Sequence, residues 1–85
     1  MLATLYTRSG CHLCEEAKEA VVRASTGFDF RLEEVDVDGS PELAAKYGER
    51  VPVLVIEGGP TIESQIDERS VKSALGMLQR HGPSH

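Results

Sequence analysis

The chain predicts an α/β fold with element order β-α-β-α-β-β-α, a four-stranded mixed sheet carrying helices on both faces. Three observations carry that prediction. A short apolar run, Leu2 to Tyr6, is followed at once by a segment of helical periodicity. The run Val51-Pro52-Val53-Leu54-Val55-Ile56 has no polar alternation, as a strand buried on both faces should. The last periodic segment puts Val71, Ala74, Leu75 and Leu78 on one helical face.

Leu2 to Tyr6 reads as a buried strand, with Thr7-Arg8-Ser9-Gly10 as the loop after it. The first helix opens with Cys11-His12-Leu13-Cys14. From Leu13 its apolar stripe runs through Ala17, Ala20, Val21 and Ala24, with Glu15, Glu16, Lys18, Glu19 and Arg23 mostly off the stripe. Ser25-Thr26-Gly27 ends it. Phe28 to Val37 reads as the second strand, although Phe28, Phe30 and Leu32 have one parity and Val35 and Val37 the other. A bulge near Glu33-Glu34, or a start later than Phe28, reconciles the two. Asp38-Gly39 turns the chain. Ser40 then caps a short helix with Pro41 at its first position, and the helix runs through Leu43, Ala44 and Tyr47 to stop at Gly48.

After the Val51–Ile56 strand, Glu57-Gly58-Gly59-Pro60 is a hairpin loop and Thr61 to Ser64 a short closing strand. Asp67 caps the last helix, and Gly82 and Pro83 end it. The first half needs a right-handed parallel crossover, and the second is a hairpin backed by a helix. No repeat or linker divides the chain, so residues 1–85 read as one domain.

The formal net charge of −5 argues against a general nucleic-acid or anionic-membrane binder. The N-terminal residues lack the basic and long apolar regions of a signal peptide. No apolar run approaches the ~20 residues that cross a bilayer. A monomeric, cytoplasmic protein is the expectation. Asp36-Val37-Asp38-Gly39 starts like a calcium loop, but Ser40-Pro41 begins a helix where further ligands belong, so it reads as a capped turn.

Cys11 and Cys14 are the only cysteines. A strand that delivers two thiols to a helix N-terminus places them among unpaired N–H groups and partial positive charge. A free thiol titrates near ~8.5, and such surroundings lower it to roughly 3.5–7.5. The thiolate is the form that attacks disulfides. Arg8 and His12 add positive charge, whereas Glu15 and Glu16 oppose a thiolate. The same pair also supplies half of a tetrahedral zinc or iron–sulfur site. A second pair is absent, and His12, His81 and His85 are badly placed to complete the set, so a cluster would have to bridge two protomers.

The element order, with Cys-x-x-Cys after the first strand and Val51-Pro52 opening the third, resembles the thioredoxin fold. By length it resembles the glutaredoxin branch, from Leu2 to about Leu78. The resemblance implies that Cys11 attacks substrate disulfides and that Cys14 resolves the mixed disulfide. Arg8 stands three residues before Cys11, where glutaredoxins commonly carry a basic residue. Pro52 matches their cis-proline, and Val51 the residue whose backbone N–H and C=O meet the substrate. His12 and Leu13 replace the usual Pro and Tyr. Glu63-Ser64-Gln65-Ile66-Asp67 stands where Gly-Gly and then Asp would hold the γ-glutamyl end of glutathione, and Glu63 would repel a carboxylate there.

The expected function is therefore a small thiol–disulfide oxidoreductase acting on protein or small-molecule disulfides. Cys11 and Cys14 would be catalytic, and Arg8, His12, Val51 and Pro52 would contact the substrate. No bound cofactor is implied; glutathione or a thioredoxin-reductase system would supply the electrons. Two alternatives stand beside this reading. One is a non-catalytic binding module that docks an extended peptide at the Val51-Pro52 edge. The other is the cluster-bridging dimer.

Overall fold

The computed structural model describes residues 1–63 and 66–80, the last two by their backbone alone. The strands are β1 (Leu2–Thr7), β2 (Arg31–Asp36), β3 (Val53–Ile56) and β4 (Thr61–Glu63). The helices are α1 (His12–Ala24), α2 (Pro41–Tyr47) and α3 (Glu68–Arg80), and a 3₁₀ turn, Val37–Gly39, joins β2 to α2. The sheet order is β2-β1-β3-β4. β1 runs parallel to β2 and antiparallel to β3, and β4 pairs antiparallel with β3. The mixed sheet and the element order are those the sequence predicts.

Strand register sorts the side chains onto two faces. Ala3 pairs with Leu32 and Ile56, and Leu5 with Leu54, which in turn faces Ile62. On that face α1 contributes Ala17, Val21 and Ala24, and α3 contributes Val71, Ala74 and Leu75, to one buried cluster. The other face carries Tyr6 with its cross-strand partners Val35 and Val53. There Tyr47 of α2 stacks on Tyr6. Helices thus cover both faces, and the catalytic candidates fall at the end where β1 stops.

Two local expectations change. For the second strand, the later start holds and the bulge does not: it begins at Arg31 rather than Phe28, and its register with β1 runs unbroken from Leu2–Arg31 to Thr7–Asp36. Gly27, at φ +91°, turns the chain, and Phe28 and Phe30 pack on the core from the segment before the strand. Val37 is buried in the 3₁₀ turn beyond it. The parity conflict disappears because its outer members are not strand residues. Leu13 is the second change. It is 62% exposed and no part of the stripe, and Cys14, 3% exposed, fills the buried position one turn before Ala17.

The helix starts follow local capping chemistry. The Ser40 hydroxyl accepts the Leu43 N–H at 3.5 Å, with Pro41 at the first position. Asp67 and Ser70 cap α3 reciprocally: Asp67 Oδ1 accepts the Ser70 N–H at 2.8 Å, and Ser70 Oγ accepts the Asp67 N–H at 3.3 Å. The Ser64 end of the closing strand, the Gly82-Pro83 stop and the two terminal histidines lie outside the described residues. No described helix is long and apolar enough to cross a membrane.

Candidate active site

β1 ends at Thr7, and the chain turns at once into α1. Arg8, Ser9, Gly10 and Cys11 make that turn. The Cys11 N–H donates to the Arg8 carbonyl at 3.3 Å, and Gly10 sits at φ +73°, where a side chain is disfavoured. Cys11 is then the N-cap of α1, in extended conformation, and its sulfur accepts the Cys14 N–H at 3.1 Å. One orphan donor of the helix end is therefore aimed at the Cys11 sulfur.

Cys11 and Cys14 form a disulfide, with Cα atoms 5.2 Å apart. Cys11 is half-buried and Cys14 is buried. Of the two cysteines, Cys11 is the more accessible from solvent. That is the asymmetry expected of an attacking cysteine and a protected partner.

Arg8 is held by more than the resemblance suggests. Its Nε and Nη2 donate to the two Asp38 carboxylate oxygens at 3.1 and 2.9 Å, and Nη1 donates to the Gly48 carbonyl at 2.9 Å. The hydrogen bond to Arg8 holds the Asp38 carboxyl below the usual carboxylate range, and the same bond raises the guanidinium value further. The side chain thus ties the dithiol loop to the 3₁₀ turn and to the end of α2.

The Val51–Pro52 peptide bond is cis, and Pro52 is buried. One residue beyond the Tyr6–Val53 pair lie Thr7 on β1 and Pro52 on the approach to β3, so Pro52 is at the dithiol end of the sheet. The Val51 N–H donates to the Tyr47 carbonyl at 3.0 Å. It is engaged within the protein. His12 is 82% exposed and pairs with Glu16 at 2.8 Å, one turn along α1.

An open cleft of about 580 Å³ runs beside the dithiol. Its lining includes Thr7, Arg8, Cys11, Cys14, Lys18 and Glu34. Lys18 of α1 reaches Glu34 of β2 at 3.0 Å along it. The cleft gathers three of the residues singled out in the sequence, namely Arg8, Cys11 and Cys14; His12, Val51 and Pro52 do not line it. Among the described residues, no three His, Cys, Asp or Glu side chains group to hold a metal ion.

Sequence reasoning missed Asp38, Gly48 and Arg50. Arg50 pairs with Glu63 at 3.5 Å, so the carboxylate expected to repel an anion has a cation beside it. Arg50 and Lys46 also lie 5.5 and 5.2 Å from the Tyr47 ring centre. A signal for Asp38 was available. A β-α-β crossover sets the ends of two parallel strands side by side, and here one is followed at once by Arg8 and the other, after Val37, by Asp38.

A sheet ordered β2-β1-β3-β4, a dithiol at the first helix N-terminus and a cis-proline before β3 together define a protein of the thioredoxin superfamily. The chain belongs to the family described as "Glutaredoxin-like domain (DUF836)", whose model matches residues 3–76. An uncharacterized protein of Mycobacterium tuberculosis is 31% identical over 76 residues, covering 84% of this chain and 78% of that one. A glutaredoxin-like protein of Dictyostelium discoideum is 32% identical over 81 residues, 88% of this chain and 75% of that one. Among solved structures, the structural-genomics protein XcR50 of X. campestris superposes with a TM-score of 0.74 at 32% identity, over 95% of this chain and 99% of that one. A mutant thioredoxin of Halobacterium salinarum superposes with a TM-score of 0.67 at 25% identity, over 89% of this chain and 72% of that one.

Proposed function

We propose that this protein is a thiol–disulfide oxidoreductase that reduces protein or small-molecule disulfides through Cys11 and Cys14. The observation that carries this reading is the unequal pair: Cys11 accessible at the helix cap, Cys14 buried one turn on, and the two within bonding distance.

In the reduced protein the Cys11 thiolate attacks one sulfur of a substrate disulfide R–S–S–R′. The S–S bond breaks, a mixed disulfide forms between Cys11 and RS, and R′S⁻ leaves and takes a proton from solvent. The Cys14 thiol gives up its proton and attacks the Cys11 sulfur. RS⁻ leaves, and the Cys11–Cys14 disulfide remains. The substrate has gained two electrons and the protein has lost two. A thiol reductant restores the dithiol by the reverse sequence, with glutathione or a thioredoxin-reductase system as donor.

The protein supplies three aids. The Cys14 N–H and the helix end stabilise negative charge on the Cys11 sulfur. Burial keeps Cys14 from outside thiols until the mixed disulfide forms beside it. Arg8, His12, Val51 and Pro52 lie near one end of the sheet, where this reading places the substrate. The protein works as a monomer in a reducing compartment, the cytoplasm, where a disulfide is transient and catalytic.

A turnover assay tests the reading. Purified protein is given a disulfide substrate with either glutathione and its reductase or a thioredoxin-reductase system. Turnover with at least one donor, lost in Cys11→Ser, is expected. No turnover with either, or full turnover in Cys11→Ser, would overturn it.

A further inference from the structure

The Asp36-Val37-Asp38-Gly39 run has a role that neither a cation loop nor a plain turn explains. Asp36 closes β2 and pairs with Thr7, the residue before Arg8. The Asp36 carboxylate accepts the Asp38 N–H at 2.9 Å and fixes the 3₁₀ turn. Asp38 in turn grips Arg8 with both oxygens. A closed ring of contacts thus runs Thr7, Asp36, Asp38, Arg8, and it ends on the residue whose carbonyl holds the Cys11 N–H.

The turn needs such a hold. Its one internal backbone bond is 3.3 Å long, and Gly10, which its geometry requires, widens the choices of a free loop. Three donors of one planar guanidinium, on a carboxylate and a carbonyl, fix both position and orientation. An exposed ion pair adds little to global stability, so the effect of this one is local geometry.

We propose that Asp38 is a positioning residue of the dithiol: by seating the Arg8 guanidinium, it holds the Arg8–Cys11 turn that presents the Cys11 sulfur for exchange. The consequence for rate rests on the oxidoreductase reading above; the consequence for loop order does not. The charged and titratable groups on the elements around the dithiol are Arg8 from the loop, His12 with its partner Glu16, Glu15, Lys18, Glu19 and Arg23 from α1, Glu34 from β2, and Asp38 of the 3₁₀ turn through Arg8. Positioning and plain charge make different forecasts. They differ at Arg8: by charge alone, losing the Arg8 cation makes the Cys11 thiolate more basic and quickens attack at the high-pH plateau, where the sulfur is fully ionised, while losing Asp38 does the reverse; if the pair holds the turn, both losses slow the plateau.

The test uses the reduced full chain with a neutral reagent, 2-hydroxyethyl disulfide, from pH 5 to 9. The variants are Asp38→Asn, Arg8→Gln, Arg8→Lys and the Asp38→Asn/Arg8→Gln double. Each single is expected to slow the high-pH plateau by about three- to tenfold, and the double to be no slower than the slower single. Thermal unfolding should stay within a few degrees of the parent. A faster Arg8→Gln or Asp38→Asn, a parent-like Arg8→Lys, or a double whose loss is the product of the singles would overturn the proposal. If the parent itself fails to exchange, the oxidoreductase reading fails alone. Amide hydrogen exchange at Cys11 then still decides: faster in Asp38→Asn supports the hold, and unchanged overturns it.

Discussion

The Tyr6 ring stacks on that of Tyr47, with centroids 4.3 Å apart and planes inclined by 21°. Tyr6 lies on β1 just before the dithiol loop, and Tyr47 ends α2. Two residues past Tyr6, the Arg8 side chain takes the carbonyl of Gly48, the residue after Tyr47. The Tyr47 carbonyl also holds the Val51 N–H ahead of the cis-proline. One helix end is thus joined to the dithiol loop and to the proline turn. The dithiol loop and the cis-proline turn, which the chain supplies from distant segments, share that anchor.

Tyr47→Leu should therefore cost more than its buried area. Loss of the ring pair is worth roughly 0.5–1.5 kcal/mol beyond burial. Urea unfolding should show that loss, with Tyr47→Phe close to the parent because the stack survives. A Tyr47→Leu protein as stable as Tyr47→Phe would mean the rings merely touch.

Gly10 sits in the left-handed region with open space around its missing side chain. Gly10→Val meets no neighbour and is penalised by backbone conformation alone. A loss of at least about 1 kcal/mol is expected, together with slower alkylation of reduced Cys11. Parent-like values for both would show that the turn tolerates another conformation.

Asp67 gives the fold a pH dependence. Its carboxylate accepts the Ser70 N–H, which holds its folded value below the usual range. A depressed value means the cap stabilises above the unfolded carboxylate value and fades as pH falls through the folded one. Asp67→Ala should lower the urea midpoint at pH 7, and the gap from the parent should narrow as pH falls through the folded carboxylate value. Asp67→Asn should keep most of the midpoint and lose that part of the pH response. A gap that persists in acid would put the stabilisation elsewhere than in the charged cap.

Leu5 is fully buried at the centre of the cluster shared by the sheet, α1 and α3. Leu5→Ala should cost about 2–5 kcal/mol, read by chemical denaturation. A loss under about 1 kcal/mol would show that the neighbours collapse into the space.

The parts of this molecule readable from sequence are those that depend on neighbours along the chain. The stripe Ala17, Val21, Ala24, the caps at Ser40 and Asp67, and the apolar strand read as Val51–Ile56, which starts at Val53 after the cis Val51–Pro52 bond, follow from spacing and side-chain chemistry. Phe28 and Phe30 misled because an apolar residue looks alike in a strand and in a loop that packs on the core. Leu13 misled because an apolar residue at a helix start was assumed to face inward. The dithiol was legible as a motif. Its supports were legible only in part: the parallel β1–β2 pair foretells Arg8 beside Asp38, thirty positions apart, but Gly48, forty positions from Arg8, reaches it only once α2 packs on the sheet.

The central claim is that Cys11 attacks and Cys14 resolves. Intact-protein mass spectrometry tests it most directly, after brief exposure of reduced Cys14→Ser and reduced Cys11→Ser to a small disulfide near pH 7. Cys14→Ser should accumulate a stable one-to-one mixed disulfide at Cys11, Cys11→Ser should remain largely unmodified, and the parent should pass to the internal disulfide without a lasting adduct. An adduct that builds up on Cys11→Ser as fast as on Cys14→Ser would contradict the assignment of nucleophile and resolving thiol.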